Sequence, residues 1–171
     1  MSTIVTVTFS PCIDKTTSVK KLLPDKKLHC AAPKLEPGGG GINVARAIKK
    51  LGGDATAIFP SGGCTGKYFN HLLEVENIHA VIIEVQNETR ENIIVLDEAE
   101  NAQYRFGMPG RNLSDVEWMQ CLKAVEEIQD ISFIVASGSL PPGVPLNIFA
   151  QLAKIAKNKN AKFVVDTSVK L

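Results

Sequence analysis

Short apolar runs rich in β-branched residues alternate with helix-period segments along most of the chain, and few folds accept that alternation. Strands are expected over residues 3–9, 55–60, 80–85, 131–136 and 163–165, and helices over 42–51, 67–76, 114–128 and 146–157. Gly52-Gly53 stops the first helix. The third has the strongest signature: Ser114 and Glu117 make a capping box, and Val116, Met119, Leu122, Val125 and Ile128 recur at helical spacing. The expected fold class is α/β, built on a central, mostly parallel sheet. Two polar, alternating segments, about 15–35 and 90–107, break the rhythm. The first reads as strands 16–22 and 27–35 around Pro24-Asp25. The second reads as a hairpin of 92–96 and 103–106. Together they predict a small antiparallel layer with one solvated face, inserted in the α/β core.

Composition narrows the function classes. The 171 residues carry a formal net charge of +1, which argues against a nucleic-acid partner. No apolar run reaches the roughly 18 residues of a membrane span. The N-terminal stretch "MSTIVTVTFSPCID" lacks the basic flank and cleavage site of a secretory signal. Cys12, Cys30, Cys64 and Cys121 are scattered without a C-x-x-C, so a cytoplasmic location with free thiols is expected.

The chemistry-bearing residues follow strands. Gly38, Gly39, Gly40 and Gly41 run into a helix, where backbone N–H groups can face a ligand and the helix N-terminus favours negative charge. A flexible turn is the plain alternative. Asn43 stands in the first turn with an amide suited to hydroxyls. "GGCTGK" (62–67) lacks the P-loop spacing, and Tyr68 replaces its metal-binding hydroxyl, so it reads as a tight strand-to-helix turn. The glycine run fails the G-x-G-x-x-G dinucleotide pattern at Asn43. Arg90 and Arg105 flank a hairpin centred near Glu98, within a residue or two of opposite positions, where paired guanidiniums would suit a phosphate. Two solvated arginines are the simpler reading of that spacing alone. Asp14 follows a strand and can accept from substrate hydroxyls, or equally serve as a turn or cap residue. Ser139, after a later strand, could hydrogen-bond a ligand or equally belong to a rigid loop. Asp166 ends the last strand, at the carboxyl edge where parallel sheets bind ligands. His29, His71 and His79 have no metal-ligand spacing, and Cys12 has no evident base.

"EPGGGGINVARAIKKLGG" (36–53), "FSPCIDKT" (9–16), "ATAIFPSGGCTGKY" (55–68), "YRFGMPG" (104–110) and "SGSLPPGV" (137–144) together resemble the phosphofructokinase-B branch of the ribokinase-like carbohydrate kinases, in family order over nearly the whole chain. Asparagine often stands in that branch where Ser10 is here. The resemblance implies a three-layer α/β/α fold with a β lid, a sugar phosphate as substrate, and Mg2+ with ATP. It implies phosphorylation of fructose 6-phosphate to fructose 1,6-bisphosphate; fructose 1-phosphate and tagatose 6-phosphate are rival substrates. Asp14, Gly38, Gly39, Gly40 and Asn43 would hold the sugar, and Arg90, Arg105 and Ser139 its phosphate. Lys27 would add charge from the lid of a neighbouring subunit in a lid-paired homodimer, and Asp166 would lie near the metal.

Members of that family are roughly twice this length. Their second half carries the adenine pocket, an N-x-x-E motif and a G-A-G-D motif with the catalytic aspartate, and neither motif occurs in this sequence. The expectation is a sugar half-site without the nucleotide half, inactive alone; a sugar-phosphate binder or lid-mediated dimer module is the alternative.

Overall fold

The computed structural model describes residues 3–167. Five parallel strands form the main sheet in the order β5-β4-β1-β8-β9. These are β1 (Thr3–Val7), β4 (Thr56–Ser61), β5 (His79–Glu84), β8 (Ile131–Ser137) and β9 (Lys162–Asp166). Helices α1 (Gly40–Lys50) and α2 (Gly63–Val75) cover one face, where Ile42, Ala45, Phe69 and Leu73 pack on Ala57 and Phe59. Helices α3 (Asp115–Glu127) and α4 (Ile148–Asn158) cover the other, where Trp118, Val125, Ile148 and Leu152 pack on Val5, Val7, Ile58 and Ile134. Fully burying one such aliphatic or aromatic side chain contributes about 1.5–3 kcal/mol, so the two clusters hold the layers together. None of the described helices is long and apolar enough to cross a membrane.

The capping box of α3 forms as expected, with Ser114 and Glu117 each satisfying the other's backbone N–H. Its buried face is rotated from the expected one: Val125 is buried and Leu122 and Ile128 pack against the core, but the first two expected positions do not. Trp118, Cys121, Ala124 and Val125 turn inward, while Val116 and Met119 are 65% and 51% exposed. The bulk of Trp118 decides the rotation, because its burial removes more apolar surface than Val116 and Met119 offer at the edge.

The inserted segments form a second sheet, β3-β2-β6-β7, from β2 (Cys12–Val19), β3 (Lys34–Gly38), β6 (Arg90–Asp97) and β7 (Ala102–Phe106). It is mixed rather than purely antiparallel. β2/β3 and β6/β7 are antiparallel pairs, but β2 and β6 are parallel across the seam. Both leave the carboxyl ends of parallel strands, β1 and β5, by short connections, so they set out in the same direction. The expected strand over 27–35 is also corrected: β3 begins at Lys34 and runs into the glycines. Pro33, just before the strand, explains the late start, since proline cannot donate to a ladder; Pro37 is accommodated within β3 because that strand lies at the edge of the sheet.

Arg46 ties this small sheet to the core. Its Nε and Nη2 donate to Glu76 at 2.6 and 2.7 Å, Nη2 also to Glu36 at 3.1 Å, and Nη1 to the Pro37 carbonyl at 2.9 Å. One side chain of α1 thus clamps β3 and the end of α2.

Candidate functional site

The main sheet reverses its strand order at β1, which has β4 on one side and β8 on the other. Open parallel sheets bind ligands at the carboxyl ends of strands beside such a reversal. The glycine run lands there. Gly39 has φ +113°, and a Cβ on it would approach Thr8 at 2.9 Å and Pro11 at 3.2 Å. A Cβ on Gly40 would collide with Ser137 and reach the Gly138 nitrogen at 2.6 Å; one on Gly41 would crowd Thr8 and the Val7 carbonyl; one on Gly38 would overlap the Asp14 carboxylate. The physical demand for glycine therefore comes first from the chain itself, which must bring α1 against the ends of β1 and β8. The Ile42 N–H donates to Thr8 Oγ1 at 3.1 Å, and the Asn43 N–H donates to the Gly39 carbonyl at 2.9 Å. The N–H groups of Gly40 and Gly41 lie in the first turn of α1 and have no intrahelical acceptor, since the first helical bond runs from Asn43 to Gly39.

On the small sheet, Cys12 pairs in register with Arg90 and Asp14 with Asn92, so all four side chains project from one face. Asn92 is the hub. Its Nδ2 donates to Asp14 Oδ1 at 3.0 Å and to Cys12 Sγ at 3.2 Å, and its Oδ1 accepts from Arg90 Nη1 at 3.0 Å and from the Met108 N–H at 3.1 Å. Burial, reinforced by the neighbouring Asp14 charge, pushes the Cys12 thiol up to about 12. Cys12 therefore stays protonated and is no nucleophile.

The two arginines do not stand opposite one another as expected. Arg105 pairs with Ile94, because the hairpin loop falls later than a centre at Glu98 would place it. Alternation still puts Arg105 on the same face as Asn92 and Arg90. It joins Asp14, Asn92 and Phe106 in lining a cavity of about 280 Å³. Arg90 is committed elsewhere: it donates to the Met108 carbonyl at 2.9 Å, to the Ser10 carbonyl at 3.1 Å and to Asn92, while its Nε is buried without a partner. Arg90 braces the wall, and Arg105 has the freer guanidinium, with one internal bond to Gln103 at 2.8 Å.

The remaining expected residues fall into two groups. Asn43 and Ser139 are exposed beside the glycine run and the β8 loop, and neither side chain makes a hydrogen bond among the described residues. Asp166 ends β9, where its carboxylate accepts from Ser137 Oγ at 3.1 Å and its carbonyl from the Gly138 N–H at 3.0 Å. Lys27 is exposed in the connection between β2 and β3 and lines none of the cavities around Asp14. Asn92 escaped the sequence reading; its position two residues after Arg90 on one strand was the available signal. "GGCTGK" behaves as a tight turn: β4 ends at Ser61, α2 starts at Gly63, and Glu88 accepts from the Cys64 and Thr65 N–H groups at 3.0 and 2.9 Å.

This arrangement has a match over nearly the whole chain. The pfkB family carbohydrate kinase pattern covers residues 7–170. The chain is similar to the ATP-dependent 6-phosphofructokinase isozyme 2 of Escherichia coli K12, with 47% identity over 98% of this chain and 54% of that protein. The isozyme 2 of Mycobacterium tuberculosis H37Rv is 42% identical over 96% of this chain and 49% of its own length. The chain thus spans about half the length of these curated relatives. The crystal structure of E. coli phosphofructokinase-2 in complex with fructose-6-phosphate superposes with a TM-score of 0.94 at 46% identity, covering 99% of this chain and 56% of that one. A parallel core with a mixed accessory sheet, glycines packed at its switch point and a family match from end to end agree: the chain belongs to the pfkB family of carbohydrate kinases.

Proposed function

We propose that this chain forms the sugar-phosphate half of an ATP-dependent 6-phosphofructokinase, which converts fructose 6-phosphate to fructose 1,6-bisphosphate. The observation that carries the reading is the joining of Asp14, Asn92 and Arg105 around one cavity on the face that abuts the glycine run. The names of the two isozyme 2 relatives favour this sugar over fructose 1-phosphate or tagatose 6-phosphate.

In this reading Asp14 accepts from sugar hydroxyls, Asn43 adds an amide, and the N–H groups of the 38–40 glycine segment approach the sugar without a side chain between. Arg105 and Ser139 hold the phosphate, and Arg90 fixes the wall on which they act. ATP would supply the transferred phosphoryl group. The G-A-G-D segment of the family, which carries its catalytic aspartate, does not occur in this sequence. Among the described residues no group of three or more His, Cys, Asp or Glu could hold a metal, and the Asp166 carboxylate is engaged by Ser137. Mg2+ at a kinase site is held by one or two carboxylates together with substrate phosphates, and Asp166 would be the nearby carboxylate of this chain; no step is assigned through the metal. The small sheet also supports the homodimer reading: Ile93, Tyr104 and Phe106 are 38%, 41% and 47% exposed on one apolar face. Pairing of two such faces would bury that surface and bring Lys27 of one subunit toward the other's sugar.

Calorimetric titration tests the assignment, with fructose 6-phosphate, fructose 1-phosphate, tagatose 6-phosphate and fructose as ligands. Fructose 6-phosphate is expected to bind the chain more tightly than the other phosphates, and free fructose not to bind. The Arg105→Ala variant is expected to bind about tenfold or more weakly, a loss of at least ~1.4 kcal/mol. Equal affinity for fructose and its phosphate in a folded chain would overturn the reading.

A further inference from the structure

The turn at Gly62-Gly63 opens onto a second crevice, away from the Asp14 cavity. Ser61 ends β4 and Glu84 ends β5, and the two are register neighbours on parallel strands. Above them α2 places Gly66, Lys67 and Asn70, enclosing a cavity of about 190 Å³ with Val85 at its side. It shares no lining residue with the cavity of Asp14 and Arg105.

Two polar atoms lie at this crevice without partners. Ser61 is 4% exposed, and its Oγ is buried and makes no hydrogen bond; Asn70 Oδ1 is likewise buried and unpaired. Buried polar atoms are nearly always satisfied, so two orphans at one small cavity require an explanation. Gly66 packs directly against the hydroxyl: a Cβ there would stand 2.7 Å from Ser61 Oγ, so only glycine leaves room beside it. Lys67 and Glu84 are exposed at the same cavity, and among the described residues neither is ion-paired.

The charges choose the ligand. A lone anion entering here would meet the Glu84 carboxylate, and a lone cation would meet the Lys67 ammonium. The α2 N-terminus offers no substitute anion site, because Glu88 already takes the Cys64 and Thr65 N–H groups. A small molecule bearing both charges meets neither objection. Its carboxylate would accept from Lys67 and the Ser61 hydroxyl, and its ammonium would donate to Glu84 and the orphaned Asn70 oxygen.

We infer that the crevice between α2 and the ends of β4 and β5 is a binding site for a small zwitterion of the free α-amino-acid class. The inference is independent of the sugar-kinase reading, since it uses none of those residues.

Titration of the protein with L-alanine and L-serine tests it, with propionate and ethylamine as probes that each carry one of the two charges. At least one amino acid is expected to give saturable heat, and neither single-charge probe to do so. The Lys67→Met and Asn70→Ala variants, checked for an unchanged thermal midpoint, are each expected to weaken that binding about tenfold or more. A shift of the Asn70 side-chain amide resonance on addition of the amino acid is expected alongside. Absence of heat with both amino acids, equal binding of propionate or ethylamine, or unchanged affinity in both folded variants would overturn the assignment.

Discussion

Asn92 donates to Asp14 across 3.0 Å, joining two strands that lie 78 residues apart in the chain. The same amide accepts from Arg90, so one uncharged side chain sits between an acid and a base. It keeps Asp14 and Arg90 from collapsing into an ion pair that would occupy both. On the proposed function, Asn92→Ala leaves the folded chain with a misdirected Asp14 carboxylate. Fructose 6-phosphate binding is expected to weaken about tenfold, the scale of one or two lost hydrogen bonds near charge. A titration of the variant that returned the wild-type constant would deny Asn92 this positioning role.

The glycine run gives a prediction that needs no ligand. Gly40→Ala places a methyl against Ser137 and the Gly138 backbone, neither of which is the free end of a long side chain. Relief must come from moving α1 away from β8, at a cost of about 1–3 kcal/mol. Gly52 is the internal control: its φ is +83° with nothing within 4 Å of an added Cβ. Gly52→Ala carries backbone strain without overlap, about 1 kcal/mol. Urea denaturation of both variants should show the larger loss at Gly40. The reverse order would mean that the approach of α1 to β8 is not what the glycine serves.

The parallel core was legible because its apolar runs alternate with helices, and β1, β4, β5 and β8 fall close to their expected places. What was hidden depends on contacts distant in sequence. The capping box at Ser114 marks where α3 begins but not which side turns inward, and Val116 and Met119 lie outside although their spacing suited the core. β3 was misplaced because Glu36, Pro37 and Gly38 have low strand propensity; pairing with Cys12, Ile13 and Asp14 makes them a strand. For Arg90 and Arg105 the hairpin was read correctly but its centre was not. Each residue of error in the centre moves the partner by two, so Ile94 takes the position opposite Arg105. Asp14 was singled out by itself and Arg90 with Arg105 as a pair. The parallel pairing of β2 with β6, which joins Asp14 to Arg90 through Asn92, left no local signal.

The four cysteines should divide into two classes. Cys12 and Cys121 are buried, whereas Cys30 and Cys64 are exposed. Burial pushes both the Cys12 and Cys121 thiols up to about 12. The thiolate is the nucleophile, so iodoacetamide at pH 8 should label Cys30 and Cys64 in the native chain and all four after denaturation. Rapid native labelling of Cys12 would contradict the closed Cys12–Asp14–Asn92 cluster. The sign for stability follows from the raised folded values. The unfolded chain releases these protons first, near the ordinary thiol value of 9.0, so stability is retained below it and falls as pH climbs from there toward about 12.

Acid should loosen the small sheet through Asp97. This residue is 2% exposed at the end of β6, where Oδ2 accepts from the Leu22 N–H at 3.0 Å and Oδ1 from the Ala99 and Glu100 N–H groups at 3.0 and 3.3 Å. The Leu22 N–H, with help from Glu100, Ala99 and the Lys21 charge, holds its carboxyl below the ordinary value of 3.8. A depressed folded value means that the unfolded chain takes up the proton first. Its contribution is therefore complete above about pH 4 and is lost as pH falls through the lower folded value. Asp97→Asn removes the charge and one of the two acceptor oxygens. The variant should be less stable at pH 7 and should lose less stability than the parent on acidification below pH 4. Denaturation midpoints measured across pH 2–7 for both proteins check this, and parallel curves would show that Asp97 does not govern the acid limb.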